Sequence, residues 1–198
     1  MKIFQEELLE PVARYFRFQK GVAEIRKKNF VIVDLGCGPR IRFYKFISQR
    51  NFEIKKYIGI DPLLDESLKI GINKNVRLIK APLSTRIPLK NGAADYVVGF
   101  AFIEHLNNPE KIVKESLRIL KKGGKVIFTS PSNKAKIVLE FLAFKAGLIS
   151  KREILEHKNY FTKETLVSSF KKHEKGFSIK HQYFEFGLNN FIVIKKSR

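Results

Sequence analysis

The chain has 198 residues, with 39 Lys and Arg against 19 Asp and Glu, a formal net charge of +20, one Cys and no Trp. That length suits one core, and a hydrophobic content of 44% is too high for a disordered chain. The lone Cys37 excludes an internal disulfide framework, and no apolar run approaches the roughly 18 residues of a membrane span. The longest candidate, Ile137 to Phe144, is interrupted by Glu140.

Glu6, Glu7 and Glu10 fall where the apolar segment of a signal peptide would lie, so a cytoplasmic protein without a membrane span is expected. The positive charge is spread over both halves of the chain. Such a surface attracts polyanions, RNA among them, although a lysine-rich composition gives the same excess on a merely solvated surface.

Apolar residues near helical spacing (Phe4, Leu8, Val12, Tyr15, Phe16, Ile25) predict a helix within 3–27. Phe30 to Leu35 reads as a buried strand entering a glycine turn at Gly36-Cys37-Gly38. A short helix over 40–50 follows. Tyr57 to Asp61 is a second strand, stopped by Pro62; Val76 to Lys80 is a third and Asp95 to Phe102 a fourth. Asn108-Pro109-Glu110 marks a helix start, with a capping Asn and Pro in the first turn. That helix runs to Leu120, and Lys121-Lys122-Gly123-Gly124 marks its stop. Lys125 to Thr129 is a fifth strand, 133–146 an amphipathic helix and 148–161 irregular. Thr162 caps a helix to about Lys172. Phe177 to Phe186 and Phe191 to Lys196 close the chain as a hairpin turning at Gly187-Leu188-Asn189-Asn190.

This alternation predicts an α/β fold: a doubly wound, mostly parallel seven-stranded sheet with an antiparallel C-terminal hairpin strand, in a three-layer sandwich. A single domain over 1–198 is expected, with a helical cap at 1–29, a ligand-binding core at 30–130, a substrate-side insert at 131–161 and a closing helix and hairpin at 162–198. Sheets of this kind bind ligands beyond the C-terminal ends of their strands. The candidate residues there are Asp34 to Arg40 after the first strand, Asp61 after the second, Phe102 to Leu106 after the fourth and Ser130-Pro131-Ser132 after the fifth. Glycines let a backbone approach a ligand closely, and a carboxylate placed like Asp61 accepts from ribose hydroxyls.

In order and spacing this set resembles the class I S-adenosylmethionine-dependent methyltransferases. The resemblance rests on Val33-Asp34-Leu35-Gly36-Cys37-Gly38, on Glu104-His105-Leu106 as in the small-molecule-type Glu-His-Leu subgroup, and on Arg118-Ile119-Leu120-Lys121-Lys122-Gly123-Gly124. It covers residues 30–130. It implies S-adenosyl-L-methionine as cofactor and S-adenosyl-L-homocysteine as product. Gly36, Cys37 and Gly38 would flank its methionine part, with Asp34 orienting the amino group. Asp61 would bind the ribose, with Pro62, Leu63 and Leu83 beside the adenine, and Phe100, Ala101, Phe102 and His105 would line the sulfonium region. Arg40 stands where the family often has a third glycine. Ala81 to Thr85 replaces a stretch that often carries an acid, and Ser84 or a backbone carbonyl would take over there.

Cys37 itself reads as a packed residue, and Asp95 as a structural start to the fourth strand. Methyl transfer from a sulfonium is an in-line displacement, governed by positioning, with a base helping when the acceptor is a hydroxyl or protonated amine. His105 and His157 are the catalytic candidates because imidazole titrates near neutrality. Glu104, Ser130 and Tyr160 are the substrate-binding candidates. His173 and His181 look like surface positions among lysines. No Cys/His spacing suggests a metal site, so none is expected. The expected acceptor is an oxygen or nitrogen on a small molecule or a lipid- or glycan-linked group. RNA held by the basic surface, or a degenerate cofactor-binding partner protein without turnover, are the alternatives. A monomer or homodimer is expected.

Overall fold

The computed structural model describes residues 9–69, 73–83, 86–171 and 176–197. Seven strands, β1 (Phe30–Leu35), β2 (Ile54–Ile60), β3 (Val76–Ile79), β4 (Ala94–Phe100), β5 (Leu120–Pro131), β6 (Phe177–Phe184) and β7 (Asn189–Lys196), form one sheet. Their order is β3-β2-β1-β4-β5-β7-β6. Neighbours run parallel except at β7, which is antiparallel to both β5 and β6. From β1 the chain winds outward to β2 and β3, then returns to place β4 on the other side. The switch point therefore lies between β1 and β4, where a doubly wound sheet opens a crevice at its strand ends.

Helices α1 (Glu10–Val22) and α2 (Arg42–Ser48) cover one face. Phe18, Phe43 and Ile47 pack there on Ile32, Tyr57, Val98 and Ile127. Helices α3 (Pro109–Ile119) and α6 (Lys163–Lys171) cover the other, with Ile112, Val113, Leu166 and Phe170 on Val33, Val97, Val126 and Phe128. Alternate residues of each strand feed opposite cores, as the two-residue strand period requires. Helices α4 (Ala135–Phe144) and α5 (Lys151–Leu155) follow β5. Among the described residues no helix is long and apolar enough to cross a membrane.

The predicted fold stands, and its departures are local. The N-terminal helix ends at Val22, short of the predicted 27, and its apolar positions Phe4 and Leu8 lie outside the described residues. Asn108 does cap α3, its Oδ1 accepting from the Lys111 N–H at 3.3 Å. That helix ends one residue early, at Ile119, because Leu120 is already extended (ψ 132°) and paired with Ala94. Lys121 to Gly124 are therefore an irregular stretch inside β5, not a helix cap. Within 148–161 one turn and a half is helical, as α5. The last hairpin turns two residues earlier than predicted. Glu185, Phe186 and Gly187 take positive φ, while the asparagines sit in β7. Asn190 is held there because its amide donates to the Pro131 and Phe161 carbonyls at 3.2 and 3.0 Å; tertiary hydrogen bonds override its turn propensity. His181 is half-buried and bonded to Asn190 Oδ1 at 2.8 Å, not free among lysines. His173 and Ser84 lie outside the described residues.

Arg118 of the Arg-Ile-Leu segment is a structural clamp. It donates to the Ile87 and Leu89 carbonyls at 2.9 and 2.8 Å, and it pairs with Glu115 at 2.7 Å. Asp95 ties the base of β4 to its surroundings: the Val31 N–H at 2.9 Å, Lys27 at 2.9 Å and Lys121 at 2.7 Å. Burial alone would raise its pKa, but Lys121, the Val31 N–H and Lys27 overcome it and hold the carboxyl at about 2. A depressed folded pKa gives stability that is present above the unfolded value near 3.9 and lost as pH falls through about 2. Asp95→Asn is expected to cost about 1–2 kcal/mol at pH 7, after discounting for solvent around the two lysines. Denaturant titrations across pH should show the wild-type advantage vanishing towards pH 2.

Candidate functional site

The strand ends at the switch point carry the predicted cluster. Gly36 and Gly38 have φ of +69° and +71°, a region that L side chains rarely adopt. Arg40 needs no such freedom; the third left-handed residue of the loop is Ile41 (φ 44°). A Cβ on Gly36 would lie 2.7 Å from Phe102 Cβ, so the loops after β1 and β4 are packed against each other. A Cβ on Gly38 would meet nothing within 4 Å, which leaves open space above this half-buried stretch of backbone. Asp61 Oδ2 accepts from the Gly38 N–H at 2.9 Å, and Oδ1 from the Leu63 N–H at 2.7 Å. One carboxylate thus pins both loops and retains lone pairs for a ligand. Beside it Pro62 is exposed and Leu63 presents an apolar side chain that is 65% exposed. Leu83 is buried in the core. Asp34 is buried and accepts from the Tyr57 hydroxyl. Burial pushes its carboxyl up to about 7 against the pull of that hydrogen bond. Cys37 is buried, with burial pushing its thiol up, and its sulfur sits over Gly59, where a Cβ would be 2.9 Å away.

An open glycine turn, a carboxylate suited to a diol and an exposed apolar platform fit a nucleoside bearing an amino-acid tail.

Strand β4 ends two residues earlier than predicted, at Phe100. The Phe100 ring turns to the α1 and α2 face, 5.1 Å from Phe18 and 4.6 Å from Phe43 between centroids. Ala101 takes φ 50° and donates to the Thr129 carbonyl at 3.1 Å. Phe102 is buried under Gly36. A 3-10 turn over Ile103–His105 then directs Glu104 inward. Glu104 is fully buried, and neither carboxylate oxygen has a hydrogen-bond partner. Burial pushes this carboxyl up to about 8 against the pull of its own backbone N–H and of Arg17. A buried polar group left unpaired costs about 1–3 kcal/mol. Glu104→Met is accordingly expected to raise the stability of the protein by that order, read as a rise in melting temperature.

His157 and Tyr160 come to the same place from the segment after α5. The His105 and His157 rings are 4.9 Å apart. His105 Nδ1 meets the Glu156 carbonyl at 3.1 Å and His157 Nδ1 the Tyr160 hydroxyl at 3.1 Å. Burial lowers the His105 pKa. Burial, with the charges of His105 and Arg17, brings His157 down to about 4. An imidazole held there is a poor base at neutral pH and a ready lone-pair donor. The sequence spacing gives no metal signature, yet the fold brings ligand atoms of Glu104, His105 and His157 within 4.8 Å of one another. Ser130 is also buried, its hydroxyl without a partner.

Two residues here escaped the sequence reading. Asn159 straps the segment down: its backbone N–H and that of Lys158 donate to the Glu104 carbonyl at 3.1 and 2.9 Å, and its amide to the Leu106 carbonyl at 2.8 Å. Arg17, buried on α1, pairs with Glu10. Loop-to-loop bonds leave no periodic trace, and an Arg on an amphipathic helix reads as solvated.

Residues 4–182 match the model of a family described as a methyltransferase domain. A curated relative, protein MJ1123 of Methanocaldococcus jannaschii, is 34% identical over 76 residues. The match takes in 38% of this chain, and the chain spans about a third (35%) of that relative's length. Among solved structures, the methyltransferase in complex with the Trm112 methyltransferase activator of Haloferax volcanii aligns with a TM-score of 0.72 at 13% identity, over 94% of this chain and 92% of that one. A SAM-dependent methyltransferase from Thermotoga maritima aligns at 0.65 and 20% identity, over 96% of both. The small RNA methyltransferase HEN1 aligns at 0.73 and 16% identity, over 100% of this chain and 27% of that one. These structural likenesses concern the fold.

Proposed function

The chain belongs to the methyltransferase-domain family, and from that premise we propose that it transfers the methyl group of S-adenosylmethionine to an oxygen or nitrogen of a small-molecule or lipid- or glycan-linked acceptor. The observation that carries the cofactor is the open, left-handed Gly36–Gly38 loop joined to Asp61 through the Gly38 N–H. On this reading Asp61 accepts from the ribose hydroxyls, Leu63 lies under the adenine, and Asp34 orients the amino group. Phe102 sets the depth of the loop by its contact with Gly36. Glu104, Ser130 and Tyr160 lie on the acceptor side. The acceptor lone pair forms the new bond to carbon as the carbon–sulfur bond breaks, and that bond's electrons remain on sulfur. The acceptor proton leaves through His105, whose Nδ1–H is committed to the Glu156 carbonyl, so that Nε2 carries the free lone pair.

The acceptor class is supported by the 131–161 insert, where Ile137 (78% exposed), Phe141 (60%) and Leu155 (74%) offer an apolar surface to a greasy acceptor. A second reading, an RNA acceptor, is favoured by a groove of about 340 Å³ between α1 and α2. Its lining joins Arg14, Arg42 and Lys45 with Tyr15 and Phe46, the mixture of cations and rings on which single strands stack. The small RNA methyltransferase of similar fold is consistent with it. The Trm112-bound relative keeps a partner-dependent enzyme in view.

The test is transfer of labelled methyl from S-adenosylmethionine into separated acceptor pools. Label in small-molecule or lipid fractions is the expected result. Label confined to RNA, with binding that falls steeply as salt rises, would replace it with the second reading.

A further inference from the structure

We propose that Glu104, His105 and His157 bind one divalent transition-metal ion beside the methyl-transfer site. Three independent features point there. The ligand atoms of these residues already lie within 4.8 Å of one another, although they come from two segments about fifty residues apart. Donors held about 2.1 Å from a tetrahedral ion lie roughly 3.4 Å apart, so about 1.4 Å of side-chain adjustment closes the site.

The second feature is Glu104. Both of its oxygens are buried and unpartnered. A lone carboxylate in that position is costly unless something compensates it, and buried charges are found paired or on metals. Arg17 is the nearby cation, but its guanidinium is shared with Glu10 and makes no hydrogen bond to Glu104, so it offsets that charge only in part. The third feature is the setting of the imidazoles. Each has its Nδ1 against an oxygen, the Glu156 carbonyl for His105 and the Tyr160 hydroxyl for His157. Both contacts hold the rings in place; the His105 Nδ1–H, committed to a carbonyl, leaves Nε2 for the ion, and His157 does the same when its Nδ1–H donates to the Tyr160 hydroxyl, as the outer partners of metal-binding histidines do. Asn159 holds the two segments together through the Glu104 and Leu106 carbonyls. Two imidazoles and a carboxylate suit zinc, cobalt, manganese or ferrous iron better than calcium or magnesium, which prefer all-oxygen sites.

Three protein ligands leave coordination positions open. The consequence for the reaction rests on the methyltransferase reading, whereas the metal site does not. An acceptor hydroxyl taking an open position becomes more acidic. Its proton passes to solvent, and its oxygen lone pair forms the O–CH3 bond as the S–CH3 bond breaks towards sulfur. The ion changes no oxidation state. The two imidazoles then act as ligands instead of proton carriers, and the favoured acceptor class narrows to hydroxyls.

The experiment titrates the tag-free full chain, stripped with a chelator, with Co2+ and then Zn2+, following cobalt ligand-field absorption and heat. One equivalent is expected to bind, with visible bands that Zn2+ displaces. His157→Ala and Glu104→Gln should each weaken binding by at least about tenfold, and His181→Ala should not. Absence of saturable binding to the wild type, wild-type affinity in His157→Ala, or loss in His181→Ala alone would overturn the proposal. If Glu104→Gln fails to fold, His157→Ala decides, since that side chain is only half-buried. S-adenosylhomocysteine affinity, measured on the same samples, is expected to be unchanged in both variants. It separates failure of the metal site from failure of the methyltransferase reading.

Discussion

Gly36→Ala is expected to destabilise the fold by about 2–5 kcal/mol and to abolish cofactor binding. Two costs add. At φ +69° an L side chain is strained by roughly 1–2 kcal/mol. The new methyl would also stand 2.7 Å from Phe102 Cβ and 3.0 Å from its Cγ, in a core where overpacking costs about 1–3 kcal/mol. Phe102 cannot retreat easily, because its ring already fills the space over Gly99, where a Cβ would be 2.3 Å away. Gly38→Ala is the informative contrast. Its φ of +71° carries the same strain, but the methyl enters open space. It should therefore cost only about 1–2 kcal/mol of stability while blocking the surface proposed for the methionine tail. Denaturant unfolding and ligand titration of the pair separate the two effects; equal stability losses would contradict the packing argument.

The second large effect is expected at Asp61. Replacement by Ala removes the acceptor for two loop N–H groups, Gly38 at 2.9 Å and Leu63 at 2.7 Å, and the proposed acceptor for the ribose. Hydrogen bonds to a charged group contribute about 1.5–3 kcal/mol each. Loss of two to the ribose corresponds to at least about a hundredfold in affinity. Asp61→Asn keeps an acceptor oxygen and should fall between the two. An Asp61→Ala protein that folds and binds S-adenosylhomocysteine as tightly as wild type would exclude the ribose role.

Much of the sheet was legible because its central strands carry short, mainly apolar runs between punctuation. Phe30 to Leu35 is buried on both sides and ends at glycines that positive φ requires, so its end was read to the residue. The Asn108 cap was legible for the same local reason. Where tertiary contacts decide, the pattern misled. Lys121 to Gly124 looks like a helix stop, but the chain is already paired with β4 at Leu120. Asn189 and Asn190 look like a turn, but burial and two carbonyl partners hold Asn190 in a strand.

At the site, the turn glycines and Asp61 were visible as residue types that few other positions need. The environment of Glu104 was not. A charged residue in a loop reads as exposed, and its burial comes from Asn159 and Lys158 closing over its carbonyl from a distant segment. The approach of His157 to His105 depends on that same strap, which no spacing in the sequence announces.

The central claim is that the loops after β1 and β2 form a site for S-adenosylmethionine. Calorimetric titration of the purified wild-type chain with S-adenosylmethionine and S-adenosylhomocysteine tests it most directly. The account predicts saturable binding of both at micromolar concentration, one equivalent per chain. Absence of binding at millimolar ligand, by a chain that melts cooperatively, would contradict it.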